Sequence, residues 1–231
     1  MGLRKILRKI LGYKEPDQYL NQTFSQEGED AILKRIYGKQ QKGFFVDIGA
    51  LHPKRFSNTY ALYILGWRGI NIDAMPGSMI EFKKIRPLDI NLEIPVSIKS
   101  QTLPFYIMNE PALNTFLKEL AIERDQEDAY NIEKVVDIKT QPLYSILDKY
   151  LPHDTHIDFF TIDAEGFDFE ILQSNNWDKY KPDVILVEND LNFQDFINSD
   201  LYKFMQNLGY EFFAKTVLTI FLKRKNFVMP M

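Results

Sequence analysis

The stretch "GFFVDIG", residues 43–49, is an apolar run of strand length that ends in Asp-Ile-Gly. Four segments of the same kind follow it along the chain. They are "GINIDA" (69–74), "LEIPVSI" (92–98), "HIDFFTIDAEG" (156–166) and "DVILVEND" (183–190). Nearly continuous apolar strands that alternate with helices are typical of a parallel sheet covered on both faces.

Amphipathic segments lie between these strands and predict helices. The predicted helices cover residues 58–66, 77–85, 143–151, 167–177 and 193–210. The tail, residues 210–225, instead predicts two strands around a short turn, which would form an antiparallel hairpin at one edge of the sheet. The sequence therefore predicts an α/β domain with one main sheet.

Residues 101–140 fit this alternation poorly. "LPFYIMN" (103–109) and "KVVDIKT" (134–140) are predicted to pair as an accessory hairpin. The charged segment between them is either a helix or a mobile flap. We assign residues 1–22 to an N-terminal lead-in and residues 23–231 to the main domain, with 101–140 as an insertion in it.

Composition excludes several classes of protein. The chain has 231 residues and is 45% hydrophobic, which suits one domain with a substantial core. The net charge of −4 argues against a nucleic-acid-binding protein. The absence of cysteine excludes disulfides, zinc-thiolate sites and cysteine nucleophiles, and with three histidines any metal would need oxygen ligands. Without an apolar run of membrane-spanning length or a signal-peptide core, a cytoplasmic protein is expected.

The N-terminal segment "MGLRKILRKILGYK", residues 1–14, predicts a basic amphipathic helix. Leucine and isoleucine recur at helical spacing, and lysine and arginine fill the opposite face. Two interpretations stay open. The apolar stripe packs on its own domain or on a partner subunit of a homodimer, or the helix lies on the anionic inner face of a membrane.

The strand ends concentrate polar side chains. In open α/β sheets, ligands bind beyond the carboxyl ends of the strands. The first strand ends at Asp47, the second at Asp73, the fourth at Asp163 and the fifth at Glu188. These ends would all present a carboxylate to the same rim of the sheet.

The first two strand ends suggest a nucleotide cofactor. Gly49 lets the backbone pass close to a ligand, and Asp73, placed 24 residues later (73 − 49), suits the hydroxyl groups of a ribose. The G-x-G-x-x-G pattern of dinucleotide sites is missing. An acidic Asp47 would repel a pyrophosphate but suit a cationic amino-acid group, which favours S-adenosylmethionine over NAD. A turn without a ligand remains the alternative.

Several motifs together resemble a known family. "FVDIGALHP" (45–53), "SNTYALYILGWRGINIDAMP" (57–76) and "IDFFTIDAEGFDFEIL" (157–172) are similar to the FkbM-type methyltransferases, and "SQEGEDAIL" (25–33) is similar to the N-terminal signature of one branch. The resemblance implies a Rossmann-like class I sheet of about seven strands, mostly parallel, with an antiparallel C-terminal hairpin. It also implies S-adenosylmethionine-dependent O-methylation of a sugar, nucleotide-sugar or glycan-precursor hydroxyl. Many members have a glycine-rich loop where this chain has His52-Pro53.

The resemblance implies cofactor contacts at five positions. They are Asp47 and Gly49 at the methionine part, Asp73 at the ribose, Ser97 at the adenine and Gln26, which closes over the cofactor. For Gln26 the alternative is a helix-capping turn around Ser25.

Activation of the acceptor suggests a metal. An alcohol is a poor nucleophile at neutral pH and needs a general base, a Lewis acid or both. The strand ends are similar to those of the catechol-type methyltransferases, and this similarity implies Asp163, Glu188 and Asn189 as ligands of Mg²⁺ or Mn²⁺, with Asp163 also catalytic. Direct hydrogen bonds to the substrate, or turns and helix caps without a ligand, are the alternatives.

The loop after the first strand supplies the remaining candidates. His52 is the predicted general base, with packing beside Pro53 or orientation of a substrate hydroxyl as its alternatives. Arg55, Ser57 and Asn58 are predicted to bind the substrate, and Arg55 could pair with a phosphate. A solvated loop in which Asn58 starts the next helix is the other interpretation.

Two other classes of function stay open. A nicotinamide-dependent oxidoreductase is disfavoured by the missing glycines, and a catalytically silent binding domain would keep the same fold.

Overall fold

The computed structural model of the protein describes residues 19–230. The strands are β1 (Phe44–Ile48), β2 (Arg68–Asp73), β3 (Ile90–Glu93), β4 (Thr102–Met108), β5 (Ile132–Lys139), β6 (Phe159–Ile162), β7 (Val184–Glu188), β8 (Tyr210–Lys215) and β9 (Thr219–Arg224). The helices are α1 (Glu29–Tyr37), α2 (Tyr60–Ile64), α3 (Met79–Ile85), α4 (Lys118–Asp125), α5 (Leu143–Tyr150), α6 (Asp168–Gln173), α7 (Phe193–Asn198) and α8 (Asp200–Asn207), with a 3₁₀ turn at Pro111–Leu113.

Within residues 19–230, seven strands form the main sheet in the order β3-β2-β1-β6-β7-β9-β8. The neighbours from β3 to β7 all pair in parallel. β9 is antiparallel to both β7 and β8, so a hairpin closes one edge. The predicted class, a Rossmann-like α/β sheet with an antiparallel C-terminal hairpin, is confirmed.

The order of the strands creates a crevice between β1 and β6. The chain runs from β1 outward through β2 to β3 and then returns to β6 on the other side of β1. Such a reversal of strand order leaves room for a ligand beyond the carboxyl ends of the two central strands. The fold therefore places the ends of β1 and β6 at the expected binding position.

Helices cover both faces of the sheet because alternate strand residues point to opposite sides. Val46 and Ile48 pack in a cluster with Ile146 of α5 and Leu172 of α6. Phe45, which lies between them in sequence, packs in a second cluster on the other face, with α1. The near-continuous apolar strands thus bury both sides, as the sequence predicted.

The third strand ends earlier than predicted. β3 ends at Glu93, whereas the prediction extended it to residue 98. Pro95 has no N–H group to donate to a neighbouring strand, so the ladder stops before it. Val96 keeps one isolated parallel bridge to Gln141.

The helix predicted over residues 193–210 is two helices, α7 and α8. Ser199 lies between them in an extended conformation, and its side chain accepts a hydrogen bond from the backbone N–H of Tyr202. This is an N-terminal cap, which starts a new helix at the point where the first one ends. Helices α2, α3, α5 and α6 are shorter than their predicted ranges.

The N-terminal prediction lies mostly outside the described residues. The basic helix at residues 1–14 is not among them, and the lead-in assigned to residues 1–22 is described only from Tyr19 onward. Between residues 19 and 230, no helix is long and apolar enough to cross a membrane.

Residues 101–140 form a separate two-stranded unit, called the accessory unit below. β4 and β5 pair antiparallel, with Thr102 opposite Lys139, as the sequence predicted. The segment between the two strands contains the 3₁₀ turn and α4, so its helical interpretation is the observed one. The accessory unit supplies one wall of the cavity described next.

Candidate active site

A cavity of about 830 Å³ lies beyond the carboxyl ends of β1, β2, β6 and β7. One part of its wall comes from Gly49 and from residues 72–78, at the ends of β1 and β2. Another part comes from residues 163–165 and Glu188, at the ends of β6 and β7. The accessory unit closes a further side, so the cavity lies at the crevice that the strand order predicts.

Gly49 brings the backbone of β1 against the backbone of β6. Its φ is 79°, in the left-handed region. A Cβ atom at this position would collide with the carbonyl oxygen of Asp163. Glycine is therefore required here by a close approach of two strand ends. Gly49 lines the cavity, and its contact with a cofactor stays a prediction.

Asp73 holds its carboxylate in the cavity wall by two backbone hydrogen bonds. Its Oδ2 accepts from the N–H of Leu51 and its Oδ1 from the N–H of Met75, both at 2.8 Å. Burial raises the pKa of Asp73, and the two amide hydrogen bonds oppose that rise. Since each carboxylate oxygen has a second lone pair, Asp73 can still accept hydrogen bonds from a ribose.

Asp47 faces away from the cavity. Its carboxylate accepts a hydrogen bond of 2.7 Å from the hydroxyl of Thr59, which in turn accepts one of 2.9 Å from the guanidinium of Arg86. Burial raises the pKa of Asp47 to about 6, although the charge of Arg86 acts against this. The side chain is not among those that line the cavity, so the predicted contact with the methionine part finds no support in its position.

Ser97 is also absent from the cavity wall. Because β3 ends at Glu93, Ser97 does not end a strand. Its buried hydroxyl donates to the carbonyl of Lys99 and is hydrogen-bonded to Thr140 at 2.7 Å. The apolar side chains of Ile94 and Val96 line the cavity in this part of the chain instead.

Asp163, Glu165 and Glu188 form a group called the carboxylate cluster below. Each residue offers a carboxylate oxygen, and these oxygens lie within 4.8 Å of one another. Asp163 is exposed at the cavity wall, but the protein around its carboxylate displaces part of the solvent and raises its pKa above the ordinary value, and the charge of Glu188 raises it further. Burial also raises the pKa of Glu188, whereas a hydrogen bond with Asp163 acts to lower it. Such a group favours a proton or a cation between its members.

Arg124 of the accessory unit completes the carboxylate cluster. Its guanidinium forms an ion pair with Glu165 and donates a hydrogen bond of 2.8 Å to the carbonyl of Leu113. Burial raises the pKa of Glu165 to about 7, the charge of Glu188 adds to this, and Arg124 counteracts both. Neither Arg124 nor Glu165 was among the predicted site residues. Glu165 stands in the "DAEG" motif, two residues after Asp163.

Asn189 does not join Asp163 and Glu188. Its side-chain oxygen accepts a hydrogen bond of 3.1 Å from the N–H of Leu191, which is a local turn. Asn189 is not among the residues that line the cavity. Of the three predicted metal ligands, the structure brings Asp163 and Glu188 together and places Glu165 where Asn189 was expected.

His52 lines the cavity, but one nitrogen of its ring is hydrogen-bonded to the backbone of its own loop. Its Nδ1 accepts from the N–H groups of Lys54 and Arg55, at 3.0 and 2.9 Å. The neutral imidazole must then carry its proton on Nε2, which lies 3.9 Å from a carboxylate oxygen of Glu81. A ring with its lone pair already in use is poorly arranged to act as the predicted general base.

The three predicted substrate-binding residues have different surroundings. Arg55 lines the cavity and pairs with Glu110 of the accessory unit at 3.0 Å. Ser57 is buried, accepts a hydrogen bond from the N–H of Tyr60, and is not in the cavity wall. Asn58 donates to the hydroxyl of Thr161 at 2.9 Å, which leaves its side-chain oxygen available.

A second, small cavity of about 20 Å³ adjoins the carboxylate cluster. Gln26, Asp163 and Glu188 line both cavities, and Asn58 lines the small one. This volume is of the order that holds one or two water molecules. Gln26 therefore lies in the wall of both cavities, and its closure over a cofactor stays a prediction.

The segment around Gln26 is hydrogen-bonded to the turn between β8 and β9. Glu27 accepts a hydrogen bond of 2.8 Å from the N–H of Leu218. Glu29 accepts hydrogen bonds from the hydroxyls of Thr216 and Thr219, at 3.0 and 3.2 Å. Ser25 bonds to Asp30 in the first turn of α1, so the alternative of a local turn is present as well.

Two methyltransferases are among the solved structures that match this chain. A Pyrococcus horikoshii protein named as an RNA methyltransferase is 9% identical with a TM-score of 0.44, and the match covers 96% of this chain and 98% of that one. A TehB-like SAM-dependent methyltransferase from Corynebacterium glutamicum is 11% identical with a TM-score of 0.40, and 96% of each chain is covered. Neither likeness bears on the substrate. Among curated proteins, none matches the sequence significantly.

The sequence itself matches a family over most of its length. The matching family is described as the methyltransferase FkbM domain, and the match extends over residues 47–212. It covers every strand of the main sheet from β2 to β7 and the accessory unit. Membership implies S-adenosylmethionine as the methyl donor and decides against the nicotinamide-dependent alternative. The chain belongs to the FkbM methyltransferase family.

Proposed function

We propose that the protein transfers the methyl group of S-adenosylmethionine to a hydroxyl of a sugar, nucleotide sugar or glycan precursor. The observation that carries this proposal is the carboxylate cluster, which faces the same cavity as Gly49 and Asp73. A methyl donor and carboxylates in the same cavity suit a reaction in which a hydroxyl must lose its proton.

The donor would bind at the ends of β1 and β2. Asp73 would accept hydrogen bonds from the ribose hydroxyls, and Gly49 leaves room for the backbone to approach the ligand. Ile94 and Val96 supply an apolar surface for the adenine in the same wall. In this arrangement the sulfonium would point toward Asp163 and Glu188.

The carboxylates would act on the acceptor. The attacking hydroxyl forms a bond to the methyl carbon, the bond from that carbon to sulfur breaks, and the hydroxyl proton passes to a carboxylate. Glu188 is suited to take this proton because a raised pKa brings a carboxylate nearer to the pH of the reaction. Arg124 keeps Glu165 in place and balances one negative charge.

A divalent cation fits the same residues. Three carboxylates with oxygens within 4.8 Å of one another form a hard oxygen donor set of the kind that Mg²⁺ and Mn²⁺ prefer. We propose Asp163, Glu165 and Glu188 as its protein ligands, with Glu165 in place of the Asn189 that the sequence suggested. A bound cation would lower the pKa of the acceptor hydroxyl.

The cavity wall around the carboxylates suits a sugar. Aromatic rings of Phe56, Phe116 and Tyr130 line the cavity together with charged groups that can accept or donate hydrogen bonds. Sugars present both apolar C–H faces and hydroxyl groups, so they need both kinds of partner. The accessory unit supplies Phe116 and Tyr130 and would therefore select the acceptor.

Calorimetry and a substrate screen test the proposal. S-adenosylhomocysteine should bind with micromolar affinity, whereas NADH should not bind. A panel of UDP-, GDP- and dTDP-hexoses, incubated with S-adenosylmethionine and analysed by mass spectrometry, should show one product heavier by a methyl group. Binding of S-adenosylhomocysteine without any methylated product would favour another class of acceptor, and binding of neither cofactor would favour a catalytically silent domain.

A further inference from the structure

Two ion pairs join the accessory unit to the rest of the chain across the cavity, and their surroundings differ. The Arg124–Glu165 pair is largely buried, with side chains 16% and 17% exposed. The Arg55–Glu110 pair, at 3.0 Å, is open to solvent, with side chains 45% and 33% exposed. The accessory unit is therefore held to the rest of the chain by an enclosed pair, called the enclosed or Arg124 side below, and by a solvated pair, called the solvated side.

The enclosed side is also fastened by packing. The hydroxyl of Thr115 donates a hydrogen bond of 2.8 Å to the carbonyl of Glu165. The next residue, Gly166, lies so close to Leu117 that a Cβ atom on the glycine would be 2.5 Å from Cδ1 of the leucine. An ion pair, a hydrogen bond and a packing contact all join the two segments here. Separating the accessory unit from the loop at Glu165 would therefore break several contacts at once.

The solvated side depends on a strained loop. Phe56 has a φ of 56°, a left-handed conformation that is unfavourable for any residue other than glycine. The Arg55 guanidinium lies 4.5 Å from the centre of the Phe56 ring and reaches from there to Glu110. The hydrogen bond from Arg55 lowers the pKa of Glu110. An exposed ion pair of this kind contributes little to stability, so it can open readily.

Both Arg55 and Glu110 line the large cavity. We propose that the Arg55–Glu110 ion pair is a gate between the β1–α2 loop and the accessory unit, and that its opening admits and releases the ligands of the cavity while the Arg124 side stays closed. The identity of those ligands rests on the proposed function, whereas the opening itself does not. Access on this side would leave the ion pair between Arg124 and Glu165 intact.

A charge swap tests the gate with S-adenosylhomocysteine as the probe. Arg55→Glu and Glu110→Arg each place like charges opposite one another and should raise the dissociation rate of the probe about threefold to tenfold at low salt. The double variant Arg55→Glu/Glu110→Arg should return the rate to within about twofold of the parent. Unchanged rates in the single variants, or a double variant as fast as the single ones, would overturn the proposal.

A second measurement is independent of any ligand. The chain contains no cysteine, so spin labels can be attached only where cysteines are introduced. Lys54→Cys lies next to Arg55, and Asp128→Cys lies next to Ala129, whose carbonyl accepts a hydrogen bond from Asn109 beside Glu110. The distance between these labels should gain a longer population in each single charge variant and lose it in the double variant.

A control pair of labels reports on the enclosed side. Glu119→Cys lies on α4, which carries Arg124, and Gln173→Cys lies on α6, which begins three residues after Glu165, and both positions are exposed. Their distance should be the same in all four charge forms. If S-adenosylhomocysteine does not bind, the proposed function fails, but the label distances still decide the gate. Identical distances between positions 54 and 128 in all four forms would reject it.

Discussion

The carbonyl oxygen of Asp163 occupies the place that a side chain on Gly49 would need. The ends of β1 and β6 therefore meet backbone to backbone at the point where the order of the strands reverses. This contact fixes the distance between the part of the cavity expected to hold the methyl donor and the carboxylates expected to act on the acceptor. Gly49 thus has a structural role even before any ligand is considered.

Gly49→Ala should disrupt both stability and donor binding. The methyl group would collide with a backbone atom that belongs to a central strand, and the left-handed φ adds strain, so we expect a loss of about 3 kcal/mol or more in the free energy of unfolding. Chemical denaturation measures this change. Gly209→Ala is the matched control, because Gly209 has a φ of 88° but no atom within 4 Å of the new Cβ. Strain alone should cost it about 1 kcal/mol, and equal losses in both variants would contradict the collision.

Asp163→Asn should reduce the rate more than the affinity for the donor. The amide can neither take up the proton of the acceptor hydroxyl nor supply the negative charge that would bind a cation, so kcat should fall by about 100-fold or more. The dissociation constant of S-adenosylhomocysteine should change by less than about threefold, since Asp73, the expected ribose contact, lies at the end of β2, two strands away from Asp163 in the sheet. Asp190→Asn is the control, because this exposed carboxylate is close to Glu188 in sequence but does not line the cavity. A parallel loss of affinity and rate in Asp163→Asn would place Asp163 in the donor site instead.

Removal of divalent cations should abolish turnover. If the carboxylate cluster holds Mg²⁺ or Mn²⁺, then EDTA should stop methyl transfer and either cation should restore it. Mn²⁺ binding, measured by calorimetry, should weaken at least about tenfold in Glu165→Gln. It should stay unchanged in Asn189→Ala, whose lost hydrogen bond to Leu191 only shapes a turn. Full activity in EDTA would remove the cation from the proposal and leave the carboxylates as bases.

His52→Asn should retain most of the activity. The asparagine oxygen can accept the hydrogen bonds that His52 Nδ1 now accepts from Lys54 and Arg55, so the loop should keep its conformation. We expect kcat within about threefold of the parent, and His52→Ala should mainly lower stability, by about 1 kcal/mol. A fall of more than about 100-fold in His52→Asn, with unchanged folding by circular dichroism, would restore His52 as the general base.

The meeting of Asp163 and Glu188 could be predicted from the sequence. Both residues end apolar strands, and parallel neighbours in a sheet present their carboxyl ends to the same side. Ile162 pairs with Val187, so Asp163 and Glu188, the next residue of each chain segment, lie side by side. The early end of β3 was also foreseeable, because Pro95 cannot donate to a ladder.

The remainder of the site depends on contacts between distant segments. Nothing in the local pattern says that Arg124, on a charged helix of the accessory unit, reaches Glu165, since the docking of that unit follows from its tertiary packing. Asn189 follows the last residue of a strand, where the alternation of side chains no longer fixes their direction. The side chain of Asn189 is oriented by its hydrogen bond within a local turn.

Asp47 belongs to a buried group with more negative than positive charge. Arg86 is paired with Asp89 at 2.8 Å and reaches Asp47 through the hydroxyl of Thr59. Two carboxylates thus face one guanidinium, and burial raises the pKa of Asp47 from 3.8 to about 6. An acid with a raised pKa binds its proton more tightly in the folded state. The free energy of unfolding should therefore fall as the pH rises from about 4 to about 6, and this contribution should be constant above that range.

Asp47→Asn should remove this dependence on pH. The asparagine can still accept the hydrogen bond from Thr59 but carries no charge, so Arg86 and Asp89 remain as a balanced pair. Relative to the parent, the variant should gain up to about 3 kcal/mol in the free energy of unfolding between pH 4 and pH 7. Urea denaturation at several pH values measures the difference, and Asp137→Asn, on the exposed side of β5, should show no such gain. A constant difference between parent and Asp47→Asn across this range would mean that Asp47 is ionised throughout, with Arg86 shared between both carboxylates.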